Sequence, residues 1–462
     1  MKIRILTLVS LVLLIAGCAT LPGGGGFKLR SYKEATLKNG MKVLMVEDKS
    51  LPYFSLAMLV RAGSSEDPQA ASGTASMVGE LLDKGTAKRK ALELADAMGQ
   101  IGSELSVSVG QDYTLISAST LAQHQGELLK NFSEMVTEPS FSGSEVNRVK
   151  KQVLSQLQRT VDDPGHFAGL MFDSYLYGSH PYARRVLGRK RDVTKLRKKD
   201  IIKYYLKHYR PNNAQLAVVG HFNPTIVEDL EKAFAEWSSR KQTDFTYPEV
   251  PAITGLQIQI IDKTDLKQSE IRLGHPGIKR TNPDFLKLRV ANTILGGAFH
   301  SRLVDEIRDR RGLTYSIRSE FDARKDTGPF TVATFTRHEK VGETVSETLK
   351  VIQDFQNKGV TDKEVADAKA LLLGVFPRAL ETAERLAETM LVLRFYQVPD
   401  TYLTNYLRDI SKIKTSEVND VIKKYLQPDN MKVLVFSPKD KVISQLRPIG
   451  IVQVKNYTEY IQ

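Results

Sequence analysis

Only one cysteine stands in the 462 residues, and it is residue 18. A lone thiol excludes any internal disulfide, so the fold must rest on buried apolar surface. Histidine is nearly as sparse. The eight are His124, His166, His180, His208, His221, His275, His300 and His338, and no two lie three to five residues apart. That spacing excludes the i, i+4 imidazole pair with which a helix grips zinc. Long apolar runs are also missing. After the first 17 residues no stretch reaches the roughly 20 residues that a helix needs to cross a bilayer. What remains is an ordinary globular composition, 41% hydrophobic and 26% charged.

The amino terminus reads MKIRILTLVSLVLLIAGC. Lys2 and Arg4 form a positive start, Ile5 to Ile15 is apolar apart from Thr7 and Ser10, and small Ala16 and Gly17 precede Cys18. This is the layout of a secretory signal. The Ile15-Ala16-Gly17-Cys18 ending resembles the bacterial lipobox, which implies cleavage before Cys18 and lipidation of that cysteine. An ordinary signal peptide with an incidental cysteine is the alternative, and the lone thiol at the end of the apolar run argues against it. Ala19 stands where aspartate would favour inner-membrane retention, so the expected location is the cell envelope, lipid-anchored at the periplasmic face of the outer membrane. The following LPGGGG, residues 21–26, reads as a flexible leash.

The net charge is +13. Part of it sits in ARRVLGRKRDVTKLRKK, Ala183 to Lys199. Export removes the chain from nucleic acid, so no nucleic-acid partner is expected. A solvated basic face is the favoured reading of this run, with anionic lipid heads or acidic peptides as alternatives.

The chain repeats itself. VTKLRKKDIIKYYLKHYRPNNAQLAVVG (Val193 to Gly220) aligns without a gap on ISKIKTSEVNDVIKKYLQPDNMKVLVFS (Ile410 to Ser437), and Pro428 lies 217 residues after Pro211. Each copy predicts a helix, a Pro-Asn/Asp-Asn turn and a short apolar strand. A period this long implies two similar domains rather than a solenoid. The organisation expected is a signal peptide over 1–17, a lipidated tether over 18–28, a first domain over 29–247 and a second over 255–462. Both domains should open on strands, Glu34 to Asp48 folding about an Asn-Gly turn and Leu256 to Asp262 forming a single strand. With long helices such as Ser142 to Thr160 between hairpins, the fold class is α+β, two homologous domains each with an antiparallel sheet and packed helices.

The most informative stretch is NTILGGAFHSRLVDEIRDRRGLTYSIRSEFDARKDTGPF, Asn292 to Phe330: a Gly-Gly break, a charged amphipathic helix, Gly312, then an alternating strand from Leu313. It resembles the second domain of the pitrilysin (insulinase) family of zinc metallopeptidases, including the mitochondrial processing peptidase type. GSSEDPQAASGTASMVGELLDKGT (Gly63 to Thr86) looks like the active-site segment of the family's first domain. YGSHPYARRVLG (Tyr177 to Gly188) looks like its His-Pro-Tyr loop, and YRPNNAQLAVVG like its domain-end turn and strand. The resemblance runs from about Leu29 to the carboxyl terminus. It implies two domains arranged around a peptide-binding cleft.

Active members carry His-x-x-Glu-His, whose histidines bind zinc while the glutamate acts as general base on zinc-bound water. Here Ser76 and Glu80 fall where the histidines belong and Gly79 where the glutamate belongs. The family's third ligand, a glutamate on a later helix, is replaced by Ser155 and Gln156. A self-sufficient peptidase would need ligands that this chain does not supply. His180 and His275 precede prolines and are expected to shape loops. His300 is expected at a solvated helix start rather than against a peptide.

The family also has an arginine and a tyrosine seven residues later that help hold substrate in the zinc site, and Arg308 and Tyr315 match that spacing. A tyrosine hydroxyl can donate to a developing oxyanion and an arginine can orient nearby charge. The resemblance therefore implies a zinc-less subunit of a metalloendopeptidase, inactive alone. It would hold no cofactor itself and would bring the Arg/Tyr pair to a zinc-bearing homologous partner acting on unfolded or extended peptides. The alternative is a non-enzymatic peptide-binding or scaffold lipoprotein on the same fold.

Overall fold

The computed structural model describes residues 30–241 and 245–461. The signal peptide, Cys18 and the glycine leash lie outside the described residues. Two six-stranded sheets organise the molecule, one per half. The first uses β1 (Lys33–Thr36), β2 (Lys42–Glu47), β3 (Tyr53–Val60), β4 (Ser106–Val109), β5 (Thr114–Leu121) and β6 (Ala214–Gly220), in the order β1-β2-β6-β3-β5-β4. The second uses β7 (Gln257–Asp262), β8 (Ser269–Pro276), β9 (Ile317–Phe321), β10 (Pro329–Thr336), β11 (Lys432–Ser437) and β12 (Ile451–Asn456), in the order β12-β7-β11-β8-β10-β9. The fold class is α+β with two matching halves.

The sheets are mixed rather than purely antiparallel. The strand that closes each repeat inserts beside the strand that opens it, so β6 runs parallel to β2 and β11 parallel to β7. A return into the sheet interior through a long helical connection permits parallel pairing, which a tight hairpin cannot. The outer strands break the symmetry: β1 is joined to β2 by the Asn39-Gly40 turn, whereas β12 arrives from the carboxyl-terminal end and pairs parallel to β7. Gly40 has φ +85°, the left-handed conformation that such a turn needs.

Local chemistry explains the repeated elements. Ser142 caps the Gly143–Arg159 helix by accepting from the Glu145 N–H at 3.3 Å. Pro211 ends the Lys198–His208 helix region, and Asn213 donates its amide to the His208 carbonyl at 2.8 Å. In the second copy the turn at Pro428 closes through Asn430 N–H to the Gln427 carbonyl at 3.0 Å.

The strands LAVV and VLVF are apolar without alternation because both sheet faces are covered. On the first sheet, Val43, Met45, Leu56, Met58, Leu216 and Val218 pack on the helices of their own half. The opposite face, with Leu44, Val46, Ala57, Leu59, Ala217 and Val219, packs into the core of the second half. The Ala383–Phe395 helix covers it. The exchange is reciprocal: the Pro164–Tyr177 helix of the first half lies on β8 and β11, where Phe167 meets Phe436 edge-on at 5.4 Å. Each half thus buries an apolar sheet face that it cannot cover itself. Among the described residues no helix is long and apolar enough to cross a membrane.

Candidate functional site

The segment that resembles a zinc site forms the Thr74–Leu81 helix. Buried Asp67 fixes its start, accepting from the N–H groups of Gly73 (2.7 Å) and Ala75 (2.8 Å). Ser76 is buried, while Glu80 faces solvent. Gly79 packs against β4, and a Cβ there would lie 2.6 Å from Val109 Cγ2 and 3.1 Å from Val107 Cγ1. Valine thus occupies the space that a side chain at position 79 would need first. Ser155 and Gln156 are exposed on the Gly143–Arg159 helix. Among the described residues no group of three or more His, Cys, Asp or Glu side chains could hold a metal. One carboxylate turned to solvent, a buried hydroxyl and a closed glycine do not fit a zinc ion, which takes three protein ligands in catalytic sites.

Arg308 lies on a wide helical segment, Val304–Arg310, with π-type turns, and Tyr315 on the bend just after it. The expected strand begins later than Leu313, at Ile317. Its delay leaves residues 313–316 as an irregular link in which Thr314 Oγ1 accepts from the Ser316 N–H at 3.1 Å. The neighbouring cations separate. Arg310 and Arg311 both pair with Glu306, at 3.1 and 2.8 Å, and Arg311 also reaches Glu347. Arg308 instead lies over the Phe299 ring, 4.5 Å from its centroid, with Asp309 at 2.9 Å. Tyr315 is 84% exposed and Phe299 64%. Exposed aromatics at this level beside an arginine are typical of a contact surface. The Gly-Gly break positions this patch, because the turn at Gly296 presses on β9: a Cβ there would lie 2.5 Å from Ser319 Oγ. Phe299 carried no motif signal in the sequence. His300 is exposed just before the helix that begins at Arg302.

The His-Pro-Tyr loop serves the seam between the halves. Tyr182 and Tyr247 both donate to Asp112 Oδ1 at 2.8 Å, and the Lys325 N–H reaches Asp112 Oδ2 at 2.9 Å. Tyr182 Oη accepts from the Asp326 N–H, and Tyr177 donates to the Thr327 carbonyl, both at 2.9 Å. His180 does shape its loop, accepting from the Tyr182 N–H at 3.1 Å. Burial pushes its pKa down despite the nearby Asp326 carboxylate. His275 does not sit in a loop. It lies in β8 and is fully buried, with Nδ1 2.8 Å from the Pro276 carbonyl and Nε2 accepting from the Gln427 N–H at 3.2 Å. Pro276 is the last residue of this interior strand, a terminal position where its missing N–H leaves the inner ladder intact.

A cleft of about 580 Å³ opens between the β3–β5 face and the Ala383–Phe395 helix. Small residues, among them Ser55, Ser117 and Ser119, form its floor, and Glu384 and Glu388 project from the helix. Burial, then the neighbouring Glu384 charge, raises the Glu388 pKa. The sequence pattern did not single out these carboxylates, because they come from the opposite half.

The sequence profile for the insulinase family (peptidase family M16) matches residues 42–190, and that for the peptidase M16 inactive domain matches residues 195–372. The chain belongs to peptidase family M16. This M16 chain is 26% identical over 405 residues to a Helicobacter pylori protein described as the non-peptidase homolog YmxG, covering 86% of this chain and 92% of that one. It is 22% identical over 411 residues to the uncharacterized zinc protease YmxG of Bacillus subtilis, covering 87% and 98% respectively. The crystal structure of a peptidase M16 inactive domain from Pseudomonas fluorescens superposes with a TM-score of 0.82 at 27% identity, covering 88% of this chain and 98% of that one. The M16 chain therefore has the family's two-domain fold without its zinc ligand set.

Proposed function

We propose that this chain is the non-catalytic subunit of a heteromeric M16 peptidase in the cell envelope, supplying Arg308 and Tyr315 to the zinc site of a homologous partner. The observation that carries the reading is the patch itself. Tyr315 is 84% exposed, and Arg308 is held over the exposed Phe299 ring rather than in the Glu306 ion pairs. The closed position at Gly79 supports it from the other side, because Val109 takes the space that a side chain there would need. In the assembly, the Tyr315 hydroxyl would donate to the carbonyl oxygen of an extended peptide as negative charge develops, and Arg308 would orient the chain nearby. Cys18 would carry the lipid that keeps the pair at the membrane. Stable attachment takes more than one acyl chain.

The test is reconstitution. The purified chain should cleave no peptide, and mixing it with a His-x-x-Glu-His homologue from the same cell should restore chelator-sensitive hydrolysis of unfolded peptides. Chelator-sensitive cleavage by the chain alone would overturn the reading. Cys18→Ser should move both chains from the membrane to the soluble fraction.

A second reading, a peptide-binding scaffold lipoprotein, is favoured by the cleft under Glu384 and Glu388, whose paired carboxylates suit a basic peptide. It predicts peptide binding that no zinc-bearing homologue enhances.

A further inference from the structure

The basic run at Ala183–Lys199 does not form one solvated face. Its first part enters the structure's interior beside the His-Pro-Tyr loop. Arg184, Arg185 and Arg189 line a cleft of about 400 Å³ together with Lys455, Glu459 and Tyr460 from the carboxyl-terminal strand and helix. Four cations thus face one carboxylate.

Arg185 is the unusual member. It is only 9% exposed. Among the described residues its guanidinium makes no salt bridge and no hydrogen bond, and its contact is the Phe167 ring, 5.4 Å from the centroid. Burial and the neighbouring Arg189 push its pKa down to about 10, which still leaves it charged at neutral pH. A largely buried cation without a counter-charge is costly, and a cation–π contact offsets only part of that cost. Most of the other polar groups that line the cleft are donors, with Glu459 as its carboxylate. Arg184 is braced by the Asp67 and Ser65 carbonyls rather than by a carboxylate oxygen. Tyr460 Oη accepts from Gln259 Nε2 at 2.7 Å, which leaves its own hydroxyl proton to donate elsewhere. Lys455 stands over the Tyr460 ring at 5.9 Å. Arg189 shares Asp192 only at 3.6 Å.

We propose that this cleft is a binding site for a phosphate-type oxyanion, with Arg185 as its buried floor and Arg184, Arg189, Lys455 and the Tyr460 hydroxyl around it. The excess of cations over the one carboxylate favours a multiply charged tetrahedral anion over a single carboxylate. Forked guanidinium donors suit the oxygens of such a group. The phosphate belongs either to a small soluble molecule or to the head of an anionic phospholipid.

The site is tested with the full chain carrying Cys18→Ser, so that no attached lipid competes. Inorganic phosphate and pyrophosphate are titrated by calorimetry at low salt, and vesicles of phosphatidylglycerol or phosphatidylcholine are sedimented with the protein. Saturable phosphate binding is expected, weakened at least tenfold in Arg185→Gln and unaffected in Lys363→Gln, an exposed lysine paired with Asp367 elsewhere. If Arg185→Gln does not fold, the exposed pair Arg189→Ala and Lys455→Ala should together produce the same loss. Sedimentation with phosphatidylglycerol alone, relieved by pyrophosphate, assigns the phosphate to a lipid head. Binding of the free anions without sedimentation assigns it to a soluble ligand. Absence of saturable binding, or equal binding by wild type and the arginine variants, overturns the proposal.

Discussion

A Cβ on Gly79 would lie 2.6 Å from Val109 Cγ2, so the helix that resembles a zinc motif is packed shut against the edge of its own sheet. Loss of the motif is thus built into the packing as well as into the residue types. Gly79→Glu should destabilise the chain by about 1–3 kcal/mol, the usual cost of overpacking. Urea unfolding measures it, and adding Val109→Ala should recover part of the loss. The triple variant Ser76→His, Gly79→Glu, Glu80→His should not acquire zinc-dependent cleavage, because Ser155 and Gln156 still offer no third ligand.

The exposed tyrosine separates function from stability. Tyr315→Phe should lower kcat of the reconstituted peptidase by about 10²–10³-fold, the typical loss of one oxyanion donor. Its unfolding free energy should stay within about 0.5 kcal/mol of wild type, as for surface changes generally. A matching drop in both would mean that the tyrosine is structural.

Phe167 tests the exchanged helices. It is fully buried on Phe436 of the other half. Phe167→Ala should cost about 3–5 kcal/mol. Because the contact joins the halves, limited proteolysis of this variant should cut first in the connecting segment around residues 248–254, which holds no regular element.

His275 gives the protein a pH dependence with a definite sign. Burial lowers its pKa from 6.5 to about 4, and both ring nitrogens are engaged in the neutral form. The unfolded chain therefore binds a proton that the folded chain refuses as pH falls below 6.5. Stability from this group is full above that pH and declines toward pH 4, by about 3 kcal/mol in all. Buried His208, lowered to about 3, adds a slope of the same sign, so urea midpoints at pH 7.5, 5.5 and 4.5 should fall with pH and fall less steeply in His275→Gln.

Sequence by itself determined a good deal here. The repeat with Pro211 and Pro428, the Asn39-Gly40 turn, the Ser142 cap and the continuous apolar strands are local signals, set by backbone geometry and by period, and each element formed where those signals stood. So was the absence of zinc ligands at Ser76, Gly79 and Glu80, since no packing can turn a glycine into a base. Tertiary structure alone decided which half covers which sheet, because an apolar face does not specify its partner in sequence. It closed Gly79 with Val109, drew Arg308 away from Arg310 and Arg311 onto Phe299, and buried Arg185 without a carboxylate. Those outcomes depend on contacts between residues on different elements, and only the folded geometry brings such residues within the few ångströms where packing and charge act.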